Sequence, residues 1–408
     1  MVVILAWINF HLYSAPAGVA TPGAYAEDVP KQLSNIGRRL RAGEGVRMQA
    51  IFPEGWFFSH LLYGFAWVNV GLQTSDEALK TRAISEARWV LAEADTPVGR
   101  QRFLADTQVP NGVFYLGWKN RLLGGLLELA GKEGKAEEIQ LFHTQSETLA
   151  KAYRERPTHS LDAYPGQCWP CDNVMALASL KVHDELFGTD YHKVIAVWVD
   201  FMRERLDPET GLLPHKIDGP TGAMTIAPRA SSQVYMLALL PELDPSFGRE
   251  QYAIFRRCFV MDWLGLMPVR EYQRGIAGKG DVDTGPLLFG IGPSATTVSI
   301  AAARANGDFE LAERNTILSE MVGFPQTHLD EKSFAFGKVV VADAFLAWGK
   351  SLTSWTKHAQ ASYPPTTSKW WRWKIHGISF AIGLLILAVL RALLRAVGNG
   401  TAAPLRRS

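Results

Sequence analysis

The stretch KVIAVWVDFMRERLDPETGLLPH, Lys193 to His215, carries the pattern from which the rest of the chain is read. Val194, Val197, Trp198, Phe201 and Met202 fall on one stripe at helical spacing, while Asp200, Arg203 and Glu204 lie off it. That is an amphipathic surface helix. It ends at a turn containing Asp207 and Gly211, and the next helical segment, PRASSQVYMLALL (Pro228 to Leu240), is apolar around most of its circumference. A helix of that second kind sits inside a fold.

The pair recurs. Surface-type segments lie near 29–43, 76–94, 135–154, 190–206, 246–263 and 308–321, and interior-type segments near 57–71, 113–130, 173–187, 230–240, 294–306 and 338–352. Almost no β pattern competes, so the chain reads as all-α, built of six helical hairpins. Gly117, Gly124, Gly125 and Ala301 to Ala303 allow interior helices to approach closely. Surface-to-interior connections are long, such as 95–112 and 264–293, whereas the returns are as short as GKEG and FGT. Long connections are where binding and catalysis concentrate.

Three pieces together, LDPETGLLPH (Leu206 to His215), PRASSQVYMLALL and the D-x-D-x-G-P run at Asp281 to Pro286, resemble the six-hairpin, or (α/α)6 toroid, superfamily. The likeness extends over about residues 28–353. It implies an inner and an outer ring of helices, with a site in the funnel at one end of the inner ring. Glycoside hydrolases, polysaccharide lyases and sugar epimerases share this architecture, as does the linalool dehydratase-isomerase group, which uses acids and cysteines. Fold by itself does not select among them.

The bulk numbers agree with a globular enzyme. The chain has 408 residues, 47% hydrophobic and 20% charged, which suffices for one large domain or two smaller ones. A net charge of +2 gives no nucleic-acid footprint. The two ends read as addresses. VVILAWINF (Val2 to Phe10) precedes Ala24-Tyr25-Ala26, a small-x-small site, so 1–26 reads as an export signal, an uncleaved anchor or an ordinary buried segment. Residues 27–355 then form the toroid. A linker over 356–374, containing SYPPTTSK, leads to an apolar run over 375–397 and a short polar tail, 398–408. That run approaches bilayer-spanning length, with Trp370, Trp371 and Trp373 at one boundary and Arg391 and Arg395 able to snorkel; an in-plane amphipathic helix is the alternative. Basic residues flank both ends, so orientation rests on the signal reading, which puts the toroid on the periplasmic or extracellular side.

Candidate chemistry lies in the long connections. GKGDVDTGP holds Asp281 and Asp283 just before an interior helix, in a Gly-rich segment that brings backbone close to a ligand; helix caps are the plain alternative. Their spacing points them to opposite sides of an extended strand. HSLDAYPGQCWPCDN offers Tyr164, Cys168, Cys171 and Asp172, the last as helix cap or site acid. Glu54 and Trp56 open the first interior helix, while His215, Arg229, Arg270, Glu271, Tyr272 and their neighbours make the remaining connections suited to a polar substrate. Asp283, Asp281, Asp172 and Glu54 are thus the candidate catalytic acids. Cys168 and Cys171 form a disulfide, an inert pair or a catalytic thiol. The lone C-x-x-C lacks a second metal-binding pair, and no nucleotide fingerprint or G-x-S-x-G occurs, so neither metal nor cofactor is expected. The expected function is a membrane-anchored glycoside hydrolase using paired carboxylates on a glycan or small polar substrate. The alternatives are a dehydratase-isomerase-like lyase using Cys and Asp, and a glycan-binding envelope protein without catalysis.

Overall fold

The computed structural model describes residues 2–358, 362–365 and 370–400, the side chains of 397–400 excepted. Residues 359–361 and 366–369 of the expected linker and 401–408 of the expected tail lie outside the described residues. In chain order the helices are α1 (Val2–His11), α2 (Val29–Arg41), α3 (Glu44–Ile51), α4 (Gly55–Gln73), α5 (Glu77–Ala94), α6 (Pro97–Arg100), α7 (Gly112–Ala130) and α8 (Ala136–Glu155), then α9 (Pro170–Phe187), α10 (His192–Arg203), α11 (Ala230–Leu243), α12 (Pro245–Phe259), α13 (Pro293–Ala305), α14 (Phe309–Val322), α15 (Val340–Ser351) and α16 (Trp371–Gly400).

Helices α4, α7, α9, α11, α13 and α15 each pack on the next, and α15 returns to α4, closing a ring. Helices α5, α8, α10, α12 and α14 lie outside it, with α2 against α15 and α4. The fold is the all-α double ring. Inner helices are buried over most of their length because their apolar residues cover the whole cylinder, as in α4 and α7. Outer helices bury one stripe, as α10 does with Val194, Ile195, Trp198, Val199 and Met202. Small residues set the spacing: a Cβ on Gly117 of α7 would stand 2.7 Å from the Cβ of Ala176 on α9. Outer helices α5, α12 and α14 begin at capping Asp76, Asp244 and Asp308, whereas none of the six inner helices carries a side-chain cap. The inner N-termini all open toward the long connections.

Three features differ from the expectation. Two small antiparallel hairpins occur inside long connections: β1 (Lys216–Ile217) with β2 (Met224–Ile226), and β3 (Gln326–His328) with β4 (Glu331–Ser333). A Gly-containing loop, Asp218 to Ala223, joins the first pair and the two-residue turn Leu329-Asp330 the second, and strands this short leave no periodic signature in sequence. Second, residue 26 is no fold boundary. Ala26 is 0% exposed and its N–H donates to the Lys350 carbonyl at 3.1 Å. The Arg304 guanidinium, itself buried, donates to the carbonyls of Gly18 at 3.3 Å, and of Val19 and Ala24 at 2.5 Å. Residues 18–26, within the segment expected as an export signal, an uncleaved anchor or an ordinary buried segment, form a strap satisfied by a partner about 280 residues away. Third, α14 is buried on more than one side, because α1 and the start of α16 pack over it through Leu12, Ile317, Met321, Trp371 and Ile375.

From Trp371 to Ala396, α16 is a helix long and apolar enough to cross a membrane, and its most apolar stretch is unburied in the protein.

Candidate active site

The inner N-termini surround a cavity of about 390 Å³ at the long-connection face. Its floor is aromatic. Phe58 of α4 packs on Phe114 of α7 (5.3 Å between centroids), Trp118 (5.0 Å), Tyr235 of α11 (6.1 Å) and Phe345 of α15 (5.7 Å). Above that floor stand three carboxyl groups from three separate inner-helix starts: Glu54 before α4, Asp172 in the first turn of α9, and Asp283 in the connection ahead of α13. Tyr164, Cys171 and His215 also line the cavity.

Asp172 is not the cap of α9. Trp169 holds that position, Pro170 starts the helix, and Asp172 projects from the first turn into the cavity. Burial pushes its carboxyl up to about 8; the charge of Glu54 and then that of Asp283 add to the rise, while the Trp118 indole faces it and pulls the other way. No Lys or Arg counters it. Asp283 stands at the mouth and is pushed up to about 6, by desolvation first and then by the charges of Asp281 and Glu54, with Arg229 opposing. Glu54 accepts a hydrogen bond from the Tyr164 hydroxyl at 2.8 Å, which fixes its orientation. His215 is held near 4 by burial and by the Arg229 charge, so its imidazole is neutral at pH 7; its Nδ1 pairs with Ser232 Oγ at 3.0 Å. The Cys171 thiol, on the cavity wall, is raised well above its ordinary value by burial and by Asp172, so it stays protonated.

Seven of the residues picked from sequence do not line this cavity. Asp281 turns away from Asp283: its carboxylate pairs with Arg229 at 2.7 Å and accepts the N–H groups of Asp283 and Thr284, each at 3.1 Å. Partial burial opposes, but Arg229 holds its carboxyl below the usual range. Arg229 also donates to Glu271 at 2.9 Å, and Glu271, 0% exposed, accepts from Ser231 at 2.7 Å. Arg229 thus bridges Glu271 and Asp281, and the three brace the connection. Arg270 pairs as backbone with Phe259 and Ile291. Tyr272 donates to the Lys279 carbonyl at 3.0 Å and packs on Gly278. Trp56 stacks on His60 at 3.8 Å, on the far side of α4 from Phe58. Cys168 donates to the Leu161 carbonyl at 3.3 Å and is buried behind the wall; burial pushes its thiol up to about 12. Both cysteines are free thiols, so the disulfide reading is corrected: one sulfur is engaged by a carbonyl while the other faces the cavity.

The cavity also departs from a purely polar funnel, because Met48, Ile51, Phe52, Val341 and the aromatic floor make most of its lining. Nor is it the sole recess: a smaller one of about 160 Å³ lies at the short-turn face beside Glu242 and Arg304. Phe58, Tyr235 and Phe345 escaped sequence reading because their helices are apolar all round. One aromatic near the start of several inner helices was the only available signal.

No protein-family model matches the chain. Among solved structures it is similar to the alpha-1,6-mannanase GH76A of Salegentibacter sp. HEL1_6, at 12% identity over 79% of this chain and 99% of that one, with a TM-score of 0.45. It is similar also to an inactive variant of that enzyme in complex with alpha-1,6-mannotetrose, at 10% identity over 86% of this chain and 98% of that one, with a TM-score of 0.44. A likeness at this level reaches neither chemistry nor substrate, and the double ring stands on its own helix contacts.

Proposed function

We propose that the long-connection cavity is the active site of a glycoside hydrolase-like enzyme that breaks a carbon–oxygen bond by acid–base catalysis. One observation carries the reading: Glu54, Asp172 and Asp283, from three distant points of the sequence, converge on one desolvated cavity. Hydrolysis of a glycosidic bond needs one carboxylic acid to protonate the leaving oxygen and one carboxylate to act as base or nucleophile on the other side. Asp172, neutral at pH 7, is the acid. Asp283, ionised above about pH 6 and open to the mouth where water or substrate arrives, is the carboxylate. Glu54, held by Tyr164, supplies the charge that helps keep Asp172 protonated. The aromatic floor excludes water beneath the acid, and ring faces suit a sugar's apolar side. The reading includes a membrane-tethered toroid, with α16 as the tether.

A second reading, a dehydratase-isomerase-like lyase, is favoured by one observation: the Cys171 thiol shares the cavity with Asp172. There Asp172 gives its proton to the leaving hydroxyl, which departs as water, and the carbon-bound proton passes to Cys171, which must first lose its own to a neighbouring carboxylate. Both readings need Asp172; only the second needs Cys171. Turnover of a panel of glycans and of unsaturated alcohols by the wild type, Asp172→Asn and Cys171→Ser proteins tests them. Absence of turnover on every substrate, with glycan binding retained, would leave the non-catalytic binding protein standing.

A further inference from the structure

We infer that the long-connection face is seated on a phospholipid bilayer, so that the cavity mouth opens toward the membrane into which α16 extends. The inference rests on reading α16 as a membrane span and is independent of the reaction at the site.

The direction of α16 comes first. Its opening turn lies beside the middle of α14: the Arg314 guanidinium sits 4.4 Å above the Trp371 ring, and Arg372 pairs with Glu313 at 3.5 Å. Gly265, just past α12, has φ of +90° and no room for a Cβ beside Trp371. Helix α1 lies antiparallel: Arg372 donates to the Leu12 carbonyl at 2.9 Å, His376 meets Asn9 at 2.6 Å, and Trp7 reaches the Met321 carbonyl at 2.8 Å. Met321 is in the last turn of α14, at the long-connection end. So α16 runs in the direction of α14 and leaves the body at the face bearing the cavity mouth. Helix α1 is ten residues of mostly apolar character.

The second observation is independent of either helix. Three connections of the long-connection face carry exposed large apolar side chains: Ile51, at the end of α3, on the first, Leu288 and Phe289 on the second, and Phe324, Leu329 and Phe336 on the third. Phe289 is 76% and Leu329 92% exposed. Single exposed apolar residues are ordinary. Here, however, Phe289, Phe324, Leu329 and Phe336 also hold φ of +53°, +48°, +44° and +55°. A bulky residue in left-handed backbone costs roughly 1–2 kcal/mol. Phe289-Gly290 and Leu329-Asp330 are the two-residue turns of tight hairpins, which call for such φ values and set the apolar side chains at exposed loop tips. Trp7 of α1 stacks on Phe324 at 6.1 Å, and Phe324 on Phe336 at 5.5 Å, which joins the rim to the membrane-proximal helix.

The test places benzoylphenylalanine at Phe289 or at Leu329 of the full chain, in nanodiscs of phosphatidylethanolamine and phosphatidylglycerol carrying an alkyne-tagged phospholipid. A control places it at Lys132 on the short-turn face. Illumination should give lipid adducts at both rim positions several-fold above Lys132. Rim adducts no greater than at Lys132 would overturn the inference, as would failure of the full chain to enter nanodiscs. Turnover measured in detergent reports separately on the chemistry.

Discussion

Two clusters of charged side chains in this molecule are built on opposite rules. Behind the closure of the ring, Asp28 accepts from Lys332 at 2.8 Å and from Lys350 at 2.6 Å, and Lys332 reaches Glu320 at 2.7 Å. Every charge there has an opposite neighbour, and the cluster ties α2, the β3–β4 connection, α14 and α15 together. Burial resists ionisation of Asp28, yet Lys350 and Lys332 hold its carboxyl below the ordinary value. In the cavity, Glu54, Asp172 and Asp283 face one another with no ammonium, and with Arg229 acting only on Asp283 from the rim. The first arrangement minimises electrostatic cost. The second retains it, which is how a fold keeps a carboxylic acid protonated at neutral pH.

The sharpest way to break this contrast is Asp172→Asn. Asn keeps the shape and loses the proton, so kcat should fall by about 100- to 10,000-fold. The same change should stabilise the protein at pH 8 by roughly 1–3 kcal/mol, since it removes a buried group that must ionise as pH rises. Turnover with urea unfolding checks both; a destabilised variant would mean that the acid is structural. Asp28→Ala should do the reverse, costing about 3–5 kcal/mol by leaving Lys350 unpaired while turnover per folded molecule is kept. Next is pH. Asp28 titrates below its unfolded value, so its stabilisation holds at neutral pH and is lost as pH falls. Asp172 titrates above its unfolded value, so the folded state is penalised as pH rises from 3.8 to about 8. Activity should accordingly be bell-shaped between limbs near about 6 and about 8, belonging to the coupled acids as a set. The smallest effect is expected at Asp281→Asn: removing that charge and freeing Arg229 both lower Asp283, so the acidic limb should move to lower pH. A limb that stays fixed would detach Asp283 from the rate. Between the two readings of the reaction, Cys171→Ser decides: unchanged turnover keeps hydrolysis, and lost turnover with an unchanged Tm promotes the thiol.

What was legible in sequence follows from what periodicity can encode. One-stripe and all-round apolar helices, and the unequal connections between them, gave six hairpins and the face bearing the cavity. Asp172 and Glu54 were legible because each sits at an inner-helix start, and Asp283 because it lies in a Gly-rich long connection leading to one. The sequence could not show that Asp281 would turn to Arg229 while Asp283, two residues on, would enter the cavity. Nor could it show that Trp56 faces outward when Phe58 faces in. Arg229 and Glu271 read as ligand contacts because composition does not reveal that their charges are spent on each other. Val19 and Ala26 read as part of a leader because the Arg304 that anchors their strap is remote in the chain.

That strap sets an order of events. Residues 12–26 are made first, but the Arg304 side chain that satisfies their carbonyls and the Lys350 carbonyl that receives the Ala26 N–H are made near the end. The ring likewise has no seam to close until α15 reaches α4. Nascent chains of about 300 residues therefore hold an open arc of helices with an unclaimed N-terminal segment, and the commitment step in biogenesis falls at the last hairpin, where long-range closure makes folding slow.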